Sequence, residues 1–485
     1  MCQYLYDVGS ILNSKFAVMA DEPSDALGTP PTSSEQTSYI LKLNNDCLEC
    51  IFERLQDLRS EVAFARVCQR FQWVCLNRWR GSHTYDQLDM EKWRELLPNY
   101  EDLCYFIKQM RPFIRHMTVS SCLCTLLKDL DEMQIYVLPN VTSFYYDPED
   151  VDCYPSDRSI CKMAKMMPNL LRLRLTTPIQ GRYLSNFRHL QELHLYEDQH
   201  KAYELQQEYL DEICSQLTNL QVLDIRMYDV ISKLRLNNCV AYLQNLTILK
   251  LNLATLKTVI TEVLKLPSLK ELIVLLDTEF CIPPLASVDS YDHKIREVQE
   301  FYEIMERKAP DIIGVAVDGY YMPLEPGWDA DLSIWSHQKL QRLAICSWTH
   351  AVDFLERYTC MTNLQLLCLR NWTYLCDDIL LKFVELCPHL HHLDVSYCRE
   401  LTPNFLQRAL NILKKREPNK QNNRYLRTRP LLIYYVLCGF EDYVDVKDLK
   451  HSPDYKEYIS FMDAFPVSSE RGLSFVDRGY QFDFE

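Results

Sequence analysis

The amino-acid sequence predicts an α/β protein, a solenoid of repeated strand–turn–helix units behind a small all-α segment. Two observations support this expectation. From Ile114 onward, three apolar residues recur at a fixed spacing, with two residues between the first and second and one between the second and third. Before that array, the residues from Leu43 to Trp79 carry short apolar runs at helical spacing. Alternation before a turn is typical of strands, and the wider spacing is typical of amphipathic helices.

The repeated pattern has eight clear copies, which begin at Leu170, Leu190, Leu220, Leu246, Leu269, Leu340, Leu364 and Leu390. Weaker copies begin at Ile114, Val141 and Ile312. Successive copies are 20 to 30 residues apart, apart from one gap of 43 after Leu269. This spacing resembles that of leucine-rich repeats, which form a horseshoe with parallel strands inside and helices outside. We expect about eleven divergent repeats, each stable only against its neighbours.

Several copies share a lead-in, because an asparagine precedes the first leucine at Asn169, Asn219, Asn245 and Asn363. We therefore expect each strand to be entered through the same turn. Residues 387–402, CPHLHHLDVSYCRELT, resemble the cysteine-containing leucine-rich repeat that often follows an F-box.

The segment from Leu43 to Trp79 carries more apolar surface than a unit of about 40 residues can bury alone. It must therefore pack on the rest of the chain or on another protein. One run at helical spacing comprises Leu48, Ile51, Phe52 and Leu55, and a second comprises Ala63, Phe64, Val67, Cys68 and Phe71. Asp46, with Glu49 three residues later, predicts the start of the first helix.

At these residues the sequence resembles the F-box, the adaptor-binding module of cullin-type ubiquitin ligases. Residues 43–55 match its first half, Leu-Pro-x-Glu-hydrophobic-Leu-x-x-Ile-Phe-x-x-Leu, and residues 67–71 match Val-Cys-Lys-Arg-Phe/Trp. Asn44 stands where the family has the adaptor-contacting Pro. The resemblance implies binding to the Skp adaptor and, through it, to cullin. The adaptor-binding residues would be Leu43, Leu48, Ile51, Phe52, Leu55, Val67 and Cys68, some of which, Phe52 above all, could instead form the module's core.

The function that the resemblance implies is recruitment of a protein substrate to an SCF-type ubiquitin ligase, with no catalytic residue and no cofactor expected in this chain. Alternate strand residues would face the concave side, where a mixture of charges suits a protein partner. The candidate substrate-binding residues are Arg172, Arg174, His194, Asp224, Arg226, Lys250, Arg342, Arg370 and His392. The alternative is a leucine-rich-repeat scaffold whose N-terminal helices only cap the array.

Composition argues against other classes of function. Only 10 of 485 residues are glycine, and no phosphate-binding glycine motif occurs. The net charge of −15 disfavours nucleic-acid binding. Twenty scattered cysteines indicate packing thiols in a reducing compartment, the cytoplasm or nucleus, rather than disulfides or a metal site. His389, His391 and His392 would point in different directions, so we expect no metal there, and no apolar run is long enough to predict a membrane span.

The expected organisation has four parts. Residues 1–38 form a flexible, Pro/Ser/Thr-rich lead-in, residues 39–82 the F-box, residues 83–439 the repeat array, and residues 440–485 an acidic, aromatic tail. The aromatic residues predict that part of the tail folds back on the protein. By resemblance to relatives, it would cross the concave face.

Overall fold

A computed structural model describes residues 43–55, 57–81, 85–148, 155–175, 179–195, 205–225, 234–275, 311–318, 339–346, 361–372, 374–415, 430–446 and 448–462. The chain divides into two compact units, Met1–Arg54 and Leu55–Glu485. The segment expected as an F-box, residues 39–82, contributes to both units. Its boundaries stay a prediction.

The described part of the first unit is one helix, α1 (Asn45–Phe52). Asn44 caps it, because the Asn44 side chain accepts a hydrogen bond of 2.9 Å from the backbone N–H of Cys47. The expected start at Asp46 is therefore two residues late. Asp46 lies in the first turn, where its negative charge interacts favourably with the helix dipole.

The second unit begins with four helices, α2 (Leu58–Ala65), α3 (Gln69–Gly81), α4 (Met90–Leu96) and α5 (Tyr100–Met110). Asp57 caps α2 through a 2.8 Å hydrogen bond from the backbone N–H of Ser60. The second apolar run of the sequence does not form one helix, because α2 ends at Ala65 and α3 starts at Gln69. Val67 and Cys68 therefore lie in the turn between them.

Fourteen strands of the described residues form one parallel sheet in chain order. They are β1 (Gln87–Asp89), β2 (His116–Val119), β3 (Ser143–Tyr146), β4 (Arg172–Leu175), β5 (Glu192–Leu195), β6 (Val222–Asp224), β7 (Ile248–Asn252), β8 (Glu271–Leu275), β9 (Gly314–Asp318), β10 (Arg342–Cys346), β11 (Leu366–Cys368), β12 (His392–Asp394), β13 (Leu431–Tyr434) and β14 (Ile459–Met462). Each of the eleven copies found in the sequence leads into one of the strands β2 to β12.

The expected count of eleven repeats is low, because β1, β13 and β14 extend the sheet at its two ends. In the copies that lead into β2 to β12, the first position of the apolar pattern is Leu, Ile or Val. At the equivalent positions before β1, β13 and β14 the chain carries Tyr85, Pro430 and Tyr458. The leucine pattern therefore misses them.

Helices and turns connect the strands on one side of the sheet. The helices are α6 (Leu123–Glu132), α7 (Asp157–Met166), α8 (Gln207–Gln216), α9 (Leu253–Lys257), α10 (Ile260–Val263), α11 (Asp377–Leu386), α12 (Pro403–Lys415), α13 (Glu441–Val446) and α14 (Pro453–Lys456). Among the described residues, three connections contain 3₁₀ turns, Leu184–Asn186, Val240–Tyr242 and Leu449–His451. None of the helices in the described ranges is long and apolar enough to cross a membrane.

The strand register places one apolar residue of each strand in a continuous central row. This central row consists of Leu88, Met117, Phe144, Leu173, Leu193, Leu223, Leu249, Leu272, Val315, Leu343, Leu367, Leu393, Ile433 and Phe461, all of them buried. One residue per strand thus builds a single core under the helices. The fold is a leucine-rich-repeat solenoid, as the sequence predicts.

The asparagine lead-in has a structural cause. The side-chain amide of Asn140 donates to the carbonyl of Pro112 at 2.6 Å, that of Asn169 to Pro139 at 2.8 Å, and that of Asn245 to Thr218 at 3.0 Å. Each bond reaches a turn one repeat earlier. The asparagines therefore tie successive turns together.

Residues 440–462, expected in the tail, form α13, α14 and β14 and continue the array. The expected array end at 439 is wrong, and these residues do not cross the concave face. Residues 463–485 lie outside the described residues.

Candidate protein-interaction surface

The face of the sheet opposite the central row is the concave face in leucine-rich-repeat geometry. On that face lie two rows of side chains, which come from the residues just before and just after the central residue of each strand. The N-side row, one residue before the central one, is Gln87, His116, Ser143, Arg172, Glu192, Val222, Ile248, Glu271, Gly314, Arg342, Leu366, His392, Leu432 and Ser460. The C-side row, one residue after it, is Asp89, Thr118, Tyr145, Arg174, His194, Asp224, Lys250, Ile273, Ala316, Ala344, Cys368, Asp394, Tyr434 and Met462.

The C-side row of β4 to β7 brings four of the expected substrate-binding residues together. The Arg174 guanidinium lies 4.8 Å from the centre of the Tyr145 ring. On the next strands, His194 Nδ1 is 3.3 Å from Asp224 Oδ2, and Lys250 Nζ is 3.6 Å from the same oxygen. Asp224 and Lys250 are buried, at 0 and 1% exposure. This pair therefore interacts within the sheet rather than being displayed for a partner.

The N-side row of β4 and β5 is more open. The Arg172 side chain is 57% exposed, and its Nε lies 3.6 Å from Glu192 Oε1. Burial opposes ionisation of Glu192, but the hydrogen bond and charge of His194 and the charges of Arg172 and Lys250 outweigh it. The pKa of Glu192 is therefore lowered. Arg172 is the most accessible cation among the described expected substrate-binding residues.

Further along the N-side row, Arg342 on β10 pairs with Glu271 on β8 across the strand that holds Gly314. Glycine leaves the intervening position open, so the arginine can span two strands. Burial raises the pKa of the Glu271 carboxyl, against the opposing charges of Arg342 and Lys250. Glu271 Oε2 is buried and has no hydrogen-bond partner in the structure.

The concave face of β8 to β13 is mostly apolar and closely packed. Ile273, Ala316, Ala344, Leu366, Cys368 and Tyr434 form one buried cluster. Beside it, Arg370 pairs with Asp394 at 2.6 Å, both buried. His392 is partly exposed in the N-side row. Arg226 lies outside the described residues.

The predicted substrate-binding set therefore divides in two. Asp224, Lys250 and Arg370 are buried in ion pairs. Arg172, Arg174, His194, Arg342 and His392 keep exposed surface. Their binding of a substrate stays a prediction. No three His, Cys, Asp or Glu residues of the described part are arranged to hold a metal ion.

The predicted adaptor-binding residues also divide in two. Leu48 and Phe52 are buried at 0 and 7% exposure. The other five keep exposed surface, namely Leu43, Ile51, Leu55, Val67 and Cys68. Val67, in the turn after α2, is 37% exposed.

Within the second unit, α2 and α3 pack on α5. The Trp79 and Phe106 rings meet edge to face at 5.0 Å, and Gln72 Nε2 donates to Gln109 Oε1 at 2.6 Å. Arg66 forms an ion pair with Asp102. These contacts fix α2 and α3 to the first repeats.

Sequence reasoning missed Trp73, which is 51% exposed on α3. The buried face of this helix consists of Phe71, Val74, Cys75 and Trp79. Trp73 lies about 100° from its sequence neighbours and off that face. A helical projection of residues 69–81 would have revealed it.

No family model matches this chain, and no curated protein matches it. Among solved structures, the internalin inlF from Listeria monocytogenes is similar over 58% of this chain and 66% of its own, with 15% identity and a TM-score of 0.30. The Rad7–Elc1 complex in yeast is similar over 77% of this chain and 96% of the matched chain, with 15% identity and a TM-score of 0.36. This chain thus spans just under two thirds of the internalin chain. Both TM-scores are low, so the assignment of the fold depends on the sheet and its register.

The parallel sheet, its central row and its mixed concave face define the class of this protein as a leucine-rich-repeat protein. Such solenoids present an extended concave surface for binding.

Proposed function

We propose that this chain is the non-catalytic, substrate-recruiting subunit of an SCF-type cullin-RING ubiquitin ligase. The segment 43–79 would bind a Skp adaptor and, through it, cullin, while the concave face would bind a protein substrate. The proposed compartment is the cytoplasm or nucleus. No nucleic acid or membrane is needed as a partner.

One observation carries this proposal. The segment that resembles an F-box leaves apolar side chains exposed, above all Val67 at 37% and Trp73 at 51%. Burying the exposed part of these side chains against a partner is favourable, by about 25 cal/mol for each Å² of apolar surface removed from water. These exposed apolar side chains therefore support a partner for this segment in addition to its packing on α5.

Recruitment requires no chemistry from this chain. Holding a substrate near the ubiquitin-charged enzyme converts an encounter between two molecules into one within a complex, and so raises the effective concentration. The exposed Arg172 and the partly exposed Arg174 would supply charge-assisted contacts to the substrate.

The packing of α2 and α3 on α5 favours a second candidate function. In this alternative the protein is a leucine-rich-repeat scaffold, and these helices only cover the end of the array. Capping and adaptor binding are compatible in structure, so only a binding measurement separates them.

The experiment uses the full chain and a purified Skp-type adaptor in a pull-down and in titration by interferometry. Leu48 is fully buried, so charge there would disturb the fold. The informative variants are Ile51→Asp and Val67→Asp, with Tyr136→Asp as the control, since Tyr136 is 62% exposed on the repeat array. We expect the first two variants to bind the adaptor at least tenfold more weakly than the wild type. The control should bind it as tightly as the wild type. A folded wild-type chain that fails to bind the adaptor would instead favour the scaffold.

A further inference from the structure

Two free thiols lie side by side on the exposed face of α1. Cys47 and Cys50 are both exposed and neither is in a disulfide. They are three residues apart in the helix, and residues at this spacing are neighbours on its surface, with Cβ atoms about 5–6 Å apart. Leu48 and Phe52, which lie on the other side of the helix, are buried. The exposed face of α1 therefore carries a pair of thiols.

Packing does not account for this pair. The sequence predicts that the cysteines of this chain are packing residues, and most of the described ones are buried or half-buried. Within the described ranges, the exposed cysteines are Cys47, Cys50, Cys124 and Cys376. Half of these exposed thiols thus occupy one face of one short helix. Solvent-accessible thiols that lie next to a second cysteine are the ones that oxidise reversibly.

The geometry of α1 allows a bond between the two sulfur atoms. Residues three apart in an α-helix have Cα atoms about 5 Å apart, and a disulfide spans Cα separations of about 4.4–6.8 Å. The Cβ atoms must approach to about 3.5–4.5 Å, so the bond requires a small local movement. Cys47 can make that movement, because its N–H donates to the Asn44 side chain at 2.9 Å. The movement therefore disturbs a side-chain cap at the start of the helix.

We propose that Cys47 and Cys50 are a dithiol that a low-molecular-weight disulfide, such as glutathione disulfide, oxidises reversibly to an intramolecular disulfide. One thiolate attacks a sulfur of glutathione disulfide, forms a mixed disulfide and releases one glutathione. The second thiolate attacks the protein sulfur of that mixed disulfide, closes the Cys47–Cys50 bond and releases the second glutathione. The chain gives up two electrons and two protons, and the two glutathione molecules carry them away as thiols.

The disulfide would change the face of α1 that the proposed function assigns to the adaptor, and this consequence rests on that function. Ile51 lies four residues after Cys47 and next to Cys50, so it shares their face of the helix. Closing the bond shifts the first turn and its Asn44 cap beside Ile51. The dithiol form would bind the adaptor and the disulfide form would bind it more weakly. In the reducing compartment proposed for this chain, the dithiol is the resting form.

Mass spectrometry of the full chain tests the pair directly. Trypsin cleaves after Lys42 and Arg54, so one peptide, residues 43–54, contains both cysteines and no other. The chain is equilibrated in glutathione buffers of increasing disulfide content, alkylated with iodoacetamide and digested. The dithiol peptide gains two alkyl groups, whereas the disulfide peptide gains none and is two hydrogens lighter. We expect the disulfide peptide to become the main form as glutathione disulfide increases, and dithiothreitol to restore the dithiol.

Adaptor titrations in reducing and oxidising buffer measure the consequence. We expect oxidation to weaken adaptor binding by the wild type about fivefold, which corresponds to about 1 kcal/mol. The double variant Cys47→Ser, Cys50→Ser should bind equally in both buffers. The matched control is Cys376→Ser, which removes one exposed thiol just before α11 and should keep the response of the wild type.

Two results would overturn the proposal. The first is a 43–54 peptide that keeps both thiols free, or carries only glutathione, in the most oxidising buffer. The second is a disulfide that forms and leaves the adaptor affinity unchanged. The mass measurement does not involve the adaptor, so a chain that forms the disulfide but binds no adaptor in reducing buffer would overturn the ligase role and not the dithiol.

Discussion

Arg370 and Asp394 form a buried ion pair between the repeats of β11 and β12. Arg370 donates from Nε at 3.2 Å and from Nη2 at 2.6 Å, both to Asp394 Oδ2. The other carboxylate oxygen accepts from the backbone N–H of Ser396 at 3.0 Å. The side chains are only 2 and 4% exposed. The pair therefore links two neighbouring repeats where water cannot replace either partner.

Replacing Arg370 with Ala should destabilise the array strongly. The substitution leaves the Asp394 carboxylate buried without its cation, which typically costs 3–5 kcal/mol. The midpoint of urea unfolding, followed by circular dichroism, measures the effect.

The control for this substitution is Arg408→Ala. Arg408 and Asp378 are also 2.6 Å apart, but their side chains are 46 and 70% exposed. Exposed pairs contribute about 0–1 kcal/mol. Equal midpoint shifts for the two variants would contradict the role assigned to burial.

Replacing Gly439 with Ala should destabilise the last repeats. The added Cβ would meet two backbone carbonyl oxygens, which cannot move aside as a side chain can. We expect the free energy of unfolding to fall by on the order of 3 kcal/mol, the upper range for overpacking.

At Gly81, at the end of α3, a Cβ meets nothing within 4 Å. There Gly→Ala should be neutral or stabilise by up to about 1 kcal/mol. Thermal midpoints of the two variants provide the comparison, and a neutral G439A would show that the turn can shift.

Glu61 should make stability depend on pH. Burial raises the pKa of its carboxyl above the ordinary 4.5, although Trp79 and Tyr85 donate hydrogen bonds to it. The folded state therefore holds this proton more tightly than the unfolded state. Its contribution to stability falls as the pH rises above about 4.5 and levels off above the folded-state pKa.

Glu61→Gln removes this ionisation and keeps an oxygen that can accept from Trp79. The variant should be more stable than the wild type at pH 7, and the difference should shrink towards pH 4. Urea midpoints at several pH values measure it. A difference that does not change with pH would exclude Glu61 as its source.

Deletion of residues 1–82 should make the array aggregate. The deletion removes Trp79 and the rest of α3, and so uncovers the Phe106 side of α5, where Phe106 and Ile107 are now fully buried. Exposed apolar patches of this kind promote association. Light scattering after size-exclusion chromatography measures the outcome. The full-length Val67→Asp variant should remain monodisperse, because α3 still covers α5. Since the deletion removes α3 whether or not the segment binds an adaptor, it cannot by itself distinguish a cap from an adaptor-binding module.

The sequence predicts the repeat well because each repeat carries its own signal. All eleven copies, including the weak ones at Val141 and Ile312, lead into strands. The terminal strands β1, β13 and β14 lack the aliphatic first position, so the spacing alone does not reveal them.

The surface was harder to predict than the core. Alternation identifies which residues face away from the helices, but it does not tell which of them are buried by neighbours. The pairing of Asp224 with Lys250 could nevertheless be predicted from the sequence, because these two residues are 26 positions apart, as are Leu220 and Leu246. Residues separated by one repeat become neighbours in a parallel array. The exposure of Leu437 has no such signal, since it depends on a turn conformation that leucine disfavours.

The strict chain order of the sheet has a consequence for synthesis. Each strand pairs only with the strands before and after it, so even the longest step, from Glu271 to Gly314, closes a loop of 43 residues. A nascent chain emerging from the ribosome can therefore add one repeat at a time to a growing template, without waiting for a distant segment. The last strand that the structure describes, β14, completes its pairing within 28 residues of β13, since Ile459 lies beside Leu431.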